Sequence, residues 1–281
     1  MTILGLQRVP FGRFIEIGGE LPDNSYNGMP WSHEGYQAAV GVHLRGIQSN
    51  GVGQIILEEL RRKVLIVPRE QQDGNARCRP VMTISPGYRD TDAPVSDRYS
   101  DSAGIMEGLS RVPGLETNPI RNSALGVIWT GSGAGTEVVV EFTPGFYTAG
   151  SAVAVADSMT GRATEVLLHE MVHALLNGLG KIDPRPMTGP LGAPYHDRAE
   201  FNAIMVTNIY RSRERPTATL RGSHSLANFT PLPNRETFAA DFATEIDEFC
   251  AKVPGIAARI AAVPGTGFNP VRQRLAGASG P

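Results

Sequence analysis

The chain has 281 residues, of which 41% are hydrophobic and 19% are charged, which is enough apolar material for a full core. Its formal net charge is −2 and it has no lysine- or arginine-rich run, so the charge pattern disfavours nucleic acid as a partner. No apolar run approaches the roughly 20 residues of a membrane span. The N-terminal stretch also lacks the basic and apolar segments of a cleaved secretory signal.

The two cysteines, Cys78 and Cys250, are too few to form a metal site by themselves. A disulfide between them is one interpretation, and two reduced thiols is the other. We favour reduced thiols, because disulfides persist mainly in oxidising compartments and the chain shows no export signal.

Three short apolar runs in the first 122 residues are rich in β-branched side chains, which is typical of strands. These runs are residues 14–17, 63–67 and 80–84. Residues 36–62 instead show apolar side chains at helical spacing, and Ser49-Asn50 is a capping pair within that stretch.

Residues 1–35, apart from the predicted strand at 14–17, and residues 85–122 are rich in turn-forming side chains and predict loops. His33 lies beside Glu34 in the first of these loops, where such a pair is usually solvated, so we assign it no role. A loop as long as the second is often functional and could cover a cleft.

Residues 123–130 and 136–143 predict two further strands, joined by the glycine-rich residues 131–135. A phosphate-binding glycine loop would run from a strand into a helix. Because a strand follows here, we expect a hairpin turn.

An H-E-x-x-H motif occupies His169, Glu170 and His173 inside an apolar stretch that predicts a helix over residues 162–176. Helical residues four apart lie on one face, so the two imidazoles can bind one ion, and Glu170 can reach a water beside it. This arrangement is typical of zinc hydrolases, with Glu170 as the general base. The alternative is a core helix whose two histidines find hydrogen-bond partners elsewhere. We favour the metal site, because a buried polar ring without a partner is costly and one ion would satisfy both rings at once.

A catalytic zinc ion normally takes a third protein ligand. Downstream of a proline-rich stretch over residues 184–194, which predicts a rigid non-helical loop, the candidates are Glu200, Asp183, His196 and Asp197. We favour Glu200, because it opens a predicted helix over residues 197–211 and helices hold ligands rigidly. Glu200 also fits a capping box with Asp197, which is the alternative interpretation.

The C-terminal part is predicted to be mainly helical. Residues 235–251 form an amphipathic pattern with four apolar residues on one face, Phe238, Phe242, Ile246 and Phe249. Asp241, Glu245 and Glu248 form an acidic stripe that we interpret as a solvated face, with a second metal site as the alternative. Residues 256–263 predict a shorter helix, and we expect the tail from Gly265 to fray.

The segments LLHEMVHALLNG and AEFNAIMVTNIYRSRERPTATLRGSH resemble the zincin metallopeptidases of bacterial secreted effectors and toxins, of the glutamate-ligand type. The resemblance covers roughly residues 123–225 and is strong only at the zinc motif. In many relatives an Asn-x-x-Arg and an Arg-x-x-Tyr element follow the glutamate helix. Asn208-Ile209-Tyr210-Arg211 and Arg221-Gly222-Ser223-His224 hold those places here, with His224 where relatives tend to have tyrosine.

The resemblance implies an α+β zincin-like fold, with a small mixed sheet and an edge strand before the H-E-x-x-H helix. Residues 136–143 would be that edge strand, which could pair with an extended substrate. The resemblance also implies a secreted effector that is delivered without a cleaved signal peptide and has a secretion-system or chaperone partner. Its substrate would be a protein of the target cell. The alternative is a cytoplasmic enzyme.

We therefore predict a zinc endopeptidase with one catalytic domain over residues 1–281. It would comprise an N-terminal lobe over about 1–122, a zinc-site core over about 123–225 and C-terminal helices over 235–263. His169, His173 and Glu200 would bind Zn²⁺ and Glu170 would act as the base, with His224 or Tyr210 donating to the oxyanion. Arg221 would orient substrate or pair with an acid.

Two other functions remain compatible with the motif: a zinc-containing binding protein without catalysis, and a zinc hydrolase with a non-peptide substrate. Glu170 argues against the first, because a structural zinc site needs no general base.

Overall fold

The computed structural model of the chain describes residues 8–18, 33–67, 84–86, 119–122, 127–130, 133–142, 144, 163–223 and 230–278. Cys78, His224 and most of the predicted loop 85–122 lie outside these residues, as does the predicted strand 80–84 except for Ile84.

The described residues have an α+β architecture with a small mixed sheet, as predicted. The strands are β1 (Val9–Phe11), β2 (Ile15–Ile17), β3 (Val64–Val67), β4 (Ile84–Pro86), β5 (Pro119–Asn122), β6 (Val127–Thr130) and β7 (Val138–Glu141). The helices are α1 (His33–Ser49), α2 (Gly51–Glu58), α3 (Ala163–Gly178), α4 (Gly189–Gly192), α5 (Arg198–Glu214), α6 (Phe238–Asp241), α7 (Ala243–Lys252), α8 (Pro254–Ala262) and α9 (Pro270–Ala278).

The helical spacing of residues 36–62 is confirmed as the pair α1 and α2, and the break between them falls at the predicted cap. Asn50 accepts a hydrogen bond from the Val52 amide at 2.9 Å. The predicted loop at His33 is wrong, because α1 already begins there. Tyr36 accounts for the early start: it is buried, and its hydroxyl donates to the Phe142 carbonyl at 2.8 Å.

The main sheet has the strand order β1-β2-β3-β7-β4. Strand β3 is parallel to both β2 and β7, whereas β1 and β4 pair antiparallel with their neighbours. Strand β7 therefore lies inside the sheet, and the prediction that residues 136–143 form an edge strand is wrong. Val138 and Val140 are buried and Val139 is half-buried, so one face of β7 lies against the core. The outermost described strand on this side is β4.

Strands β5 and β6 pair with each other in a separate antiparallel sheet. The predicted hairpin between β6 and β7 is therefore wrong, and so is the predicted loop at residues 119–122.

The glycine loop before β7 docks on the end of α3 instead of turning a hairpin. Gly135 and Gly180 both have positive φ angles, of 70° and 66°. A Cβ at Gly135 would lie 2.1 Å from the Gly178 carbonyl oxygen, and one at Gly180 would lie 2.3 Å from that of Gly133. The two backbones approach closely because these positions carry no side chain.

Helix α3 carries the H-E-x-x-H motif through the centre of the molecule. It contacts α1, α2, β4, β7 and α5, and its side chains from Val166 to Gly178 are all buried. Burial on every side explains why the motif is flanked by apolar residues on both sides. The helix runs two residues beyond the predicted end, and the Lys181 amide closes it by donating to the Leu176 carbonyl at 2.8 Å.

The prediction of a non-helical loop over residues 184–194 is wrong, because this segment contains α4 and the start of a 3-10 turn, Ala193–Tyr195. Pro190 and Pro194 begin these turns, where a missing amide proton costs nothing. Tyr195 draws the segment inward, since its ring packs edge-on against Phe201 and Phe242.

The C-terminal helices differ from the prediction at two points. The predicted helix 235–251 is divided into α6 and α7 at Phe242, although its four apolar side chains are all buried as expected. The tail from Gly265 does not fray as predicted, because α9 follows and Phe268 and Val271 are buried.

One hydrophobic core cluster extends from β2 to α9 and includes the apolar side chains of α3 and α5. Within the described residues, none of the helices combines the length and the apolar character that crossing a bilayer requires.

Candidate metal centre

Three buried or half-buried side chains converge between α3 and α5. His169 and His173 lie one turn apart, and their Nε2 atoms are 3.2 Å apart. Glu200, in the first turn of α5, places its Oε2 3.1 Å from His169 Nε2 and its Oε1 3.4 Å from His173 Nε2. In a tetrahedral zinc site with bonds of about 2.0–2.2 Å, neighbouring ligand atoms lie about 3.3–3.6 Å apart.

This group could hold a metal ion, since one ligand atom from each residue lies within 4.8 Å of the others. Glu200 reaches it because Asp197 caps α5, accepting from the Glu200 amide at 2.9 Å. The N-cap half of the predicted capping box is therefore present, whereas the Glu200 carboxylate faces the histidines and the Asp197 amide donates to the Tyr195 carbonyl.

The electrostatics of the group favour a positive charge next to Glu200. Burial lowers the pKa of His169 to about 3, which leaves its ring neutral and able to act as a ligand. Burial alone would lower the pKa of His173 as well, but Glu200 and Glu170 outweigh it and raise this pKa to about 9. Burial opposes ionisation of Glu200, yet the two histidines hold its pKa well below the usual range.

Glu170 lies beside this group. Its Oε1 is 4.0 Å from His169 Nε2, and burial raises the pKa of its carboxyl group to about 8. A carboxylate with a raised pKa is a stronger base near neutral pH than an exposed one. This position suits a proton acceptor for a small molecule held at the group.

Arg221 supplies positive charge to the same place. Its guanidinium group interacts electrostatically with the carboxylates of Glu200 and Glu170, and burial lowers its pKa. Its Nε donates to the Ser223 carbonyl at 2.6 Å. Arg221 therefore lies near the acids of the candidate site, and which of its two expected roles it has stays a prediction.

The other candidate ligands are directed elsewhere. Asp183 is fully buried and pairs with Arg185 and Lys252. His196 is exposed and has a φ of 66°, and Asp197 uses its carboxylate as the cap of α5.

Of the two donors expected for the oxyanion, the one that the structure describes, Tyr210, is directed away from the group. Tyr210 lies ten residues beyond Glu200, about 15 Å along the helix. Its hydroxyl donates to the Gly46 carbonyl at 3.3 Å. His224 lies outside the described residues.

The acidic stripe on α6 and α7 is not simply a solvated face. Glu245 and Glu248 pair with Arg198, and Glu248 also pairs with Arg185. These pairs tie α7 to both ends of the segment that leads into α5.

Asn208 is a residue whose contribution the sequence left undefined. It is buried in the middle of α5, and its side-chain amide bonds to the backbone of Arg221. The usable signal was an asparagine at helical spacing from the apolar residues Ile204 and Met205, because a buried amide requires hydrogen-bond partners.

Comparisons of the chain with protein-family models, with curated proteins and with solved structures found no match.

Proposed function

We propose that the chain is a zinc-dependent endopeptidase of the zincin type. The observation that carries this proposal is the group of His169, His173 and Glu200. A second carboxylate, that of Glu170, lies beside it, with its Oε1 4.0 Å from His169 Nε2. Three protein ligands beside a general base is the composition of catalytic zinc sites, whereas structural sites usually close all four positions with protein ligands.

The ligand types support zinc over other divalent ions. Two imidazole nitrogens and one carboxylate suit a borderline ion, and the short separations between the three ligand atoms suit four-coordinate geometry. Calcium and magnesium prefer six or more oxygen ligands, which this group does not offer.

Each side chain then has a defined part in peptide hydrolysis. A bound zinc ion would polarise the scissile carbonyl and acidify a water molecule. Glu170 accepts the proton of the attacking water and afterwards gives it to the leaving amine. Arg221 donates to the carbonyl oxygen as negative charge develops on it.

The main sheet supports a peptide as substrate. Strand β4 is the outermost described strand on the β7 side of the sheet, contacts helix α3 and runs antiparallel to β7. An extended peptide could add to such an edge through backbone hydrogen bonds, which tolerate many sequences. We assign the substrate-binding edge to β4 in place of the interior strand β7.

We propose where the protein acts, and on what, from the resemblance in sequence alone. The chain would act as a secreted effector or toxin protease on proteins of a target cell, with a secretion-system or chaperone partner. The alternative setting is the cytoplasm of the producing cell.

The test compares three proteins loaded with zinc: wild type, Glu170→Gln and the surface control Glu236→Gln. Each is incubated with a cell lysate, and new protein N-termini are mapped by mass spectrometry while bound zinc is measured. We expect wild type and control to produce the same new termini. Glu170→Gln should keep its zinc and cleave about 10²–10⁴-fold more slowly, because the proton acceptor is lost.

Undiminished cleavage by Glu170→Gln would refute this mechanism. Zinc bound by wild type without any new termini would refute the endopeptidase proposal and favour either a binding protein or a hydrolase with a non-peptide substrate.

A further inference from the structure

The segment from Thr219 to Arg221 is held against α5 by two buried side chains. The Asn208 amide donates to the Arg221 carbonyl at 2.7 Å, and its oxygen accepts from the Arg221 backbone amide at 2.9 Å. The side chain thus pairs with both backbone groups of a single residue, as a neighbouring strand would.

Arg211 holds the same segment one turn further along α5. Its Nε donates to the Thr219 carbonyl at 2.8 Å, and its guanidinium also pairs with Glu165. Glu165 lies one helical turn before His169 on α3. The Arg211 contacts therefore connect the segment to the metal helix itself.

A short antiparallel bridge fixes the segment on its other side. Arg221 is paired with Pro231, the Leu232 amide donates to the Leu220 carbonyl at 2.8 Å, and the Gly222 amide donates to Thr230 at 2.7 Å. Gly222 permits this approach, because a Cβ there would lie 2.7 Å from the Pro231 carbonyl oxygen.

The guanidinium group of Arg221 lies near enough to Glu170 and Glu200, at the candidate metal centre, for the charges of both carboxylates to act on it. An arginine side chain has many rotamers, so its position depends on how firmly its backbone is fixed. We propose that Asn208 and Arg211 are positioning residues that fix the backbone of Arg221 and so hold its guanidinium group at the reacting carbonyl.

The kinetic part of this inference rests on the proposed endopeptidase function, whereas the structural part does not. The chain offers a matched control in Asn269, which is also buried and also pairs with backbone in both directions. Asn269 donates to the Ile260 carbonyl at 3.0 Å and accepts from the Arg272 amide at 2.9 Å, among the C-terminal helices.

Hydrogen exchange of the zinc-loaded protein tests the structural part. We expect Asn208→Ala to increase exchange in residues 219–223, with little change in α3, while Asn269→Ala should leave that segment protected. Unchanged exchange at 219–223 in Asn208→Ala would overturn the inference, whether or not the protein is a peptidase.

Steady-state kinetics tests the functional part, with a synthetic peptide that spans a cleavage site mapped in the lysate. Asn208→Ala should lower kcat by up to about 10²-fold, as expected for a misplaced catalytic group, with KM and zinc content little changed. Asn269→Ala should leave kcat unchanged.

The double variant Asn208→Ala/Arg221→Ala separates positioning from general destabilisation. If Asn208 acts through Arg221, the double variant should be no slower than Arg221→Ala alone. Fully additive losses, or an equal loss of kcat in Asn269→Ala, would overturn the inference. Absence of any cleavage by wild type would refute the proposed function and leave hydrogen exchange to decide on positioning.

Discussion

Glu200 is fixed at its backbone and at its carboxylate by different partners. Asp197 caps its amide, and the two histidines face its carboxylate oxygens. A full capping box would also engage the Glu200 carboxylate, which would accept from the Asp197 amide. That amide donates to the Tyr195 carbonyl instead, so the N-cap half of the box forms while the carboxylate faces the histidines. Capping fixes the first turn of α5, and a fixed turn is what a rigid ligand requires.

Asp183 shows why a buried acid near a metal motif need not be a ligand. Its side chain is completely buried and is shared between Arg185 and Lys252. Burial opposes ionisation of Asp183, but its cationic partners prevail and lower its pKa below the ordinary 3.8. Its contribution to stability is therefore fully present above pH 3.8 and is lost as the pH falls through the lower pKa of the folded state.

We expect Asp183→Asn to lower the free energy of unfolding by roughly 3–5 kcal/mol at pH 7, because it leaves two cations without their buried partner. The loss should shrink as the pH falls below about 4, since wild type then also loses the carboxylate. Urea unfolding between pH 2 and 7 measures both effects. Asp247→Asn, at an exposed pair with Arg274, serves as control and should change little. Equal losses in the two variants would contradict this account.

At the scale of elements, the sequence predicted most strands and helices but not how the strands pair. Residues 14–17, 63–67 and 136–143 do contain strands, because alternating or β-branched runs are a local property. Pairing depends on distant contacts, which the sequence pattern does not contain. The glycine-rich residues 131–135 therefore predict a hairpin, whereas Gly135 lies against the end of α3.

The docking of the glycine loop on α3 makes a specific prediction for Gly135→Ala. The change adds a side chain at a φ of 70° and at 2.1 Å from the Gly178 carbonyl oxygen. Gly12 is a matched control, because it has a φ of 66° and no heavy atom within 4 Å of its Cβ position. We expect Gly12→Ala to cost about 1–2 kcal/mol, from the left-handed backbone alone.

Gly135→Ala should cost a further 1–3 kcal/mol for the overpacked backbone contact. Urea unfolding of both variants measures the difference. Costs that agree within error would mean that the loop does not dock on α3 as described.

Across the whole molecule, the sequence located the candidate ligands better than the groups around them. His169 and His173 follow from helix geometry, and Glu200 follows from the start of the next helix. Tyr210 was a less sound choice, because ten residues of helix carry it about 15 Å from Glu200. The contribution of Asn208 depends on a hydrogen bond to a residue thirteen positions away, which no local pattern encodes.

The candidate metal centre lies between α3 and α5, two helices that contribute much of the central core. A cation bound only by the folded state stabilises it by RT ln(1 + [L]/Kd), about 4 kcal/mol at a thousandfold excess over Kd. We therefore expect zinc to raise the melting temperature of wild type by several degrees, and a chelator to reverse the rise.

The variants decide whether that stabilisation comes from this group. Glu170→Gln should keep the zinc-dependent shift in melting temperature, because it retains all three ligand side chains. His169→Ala should lose it, since one imidazole and one carboxylate bind the ion far more weakly. A shift that persists in His169→Ala would place the zinc elsewhere, and the peptidase proposal would then lose its physical basis.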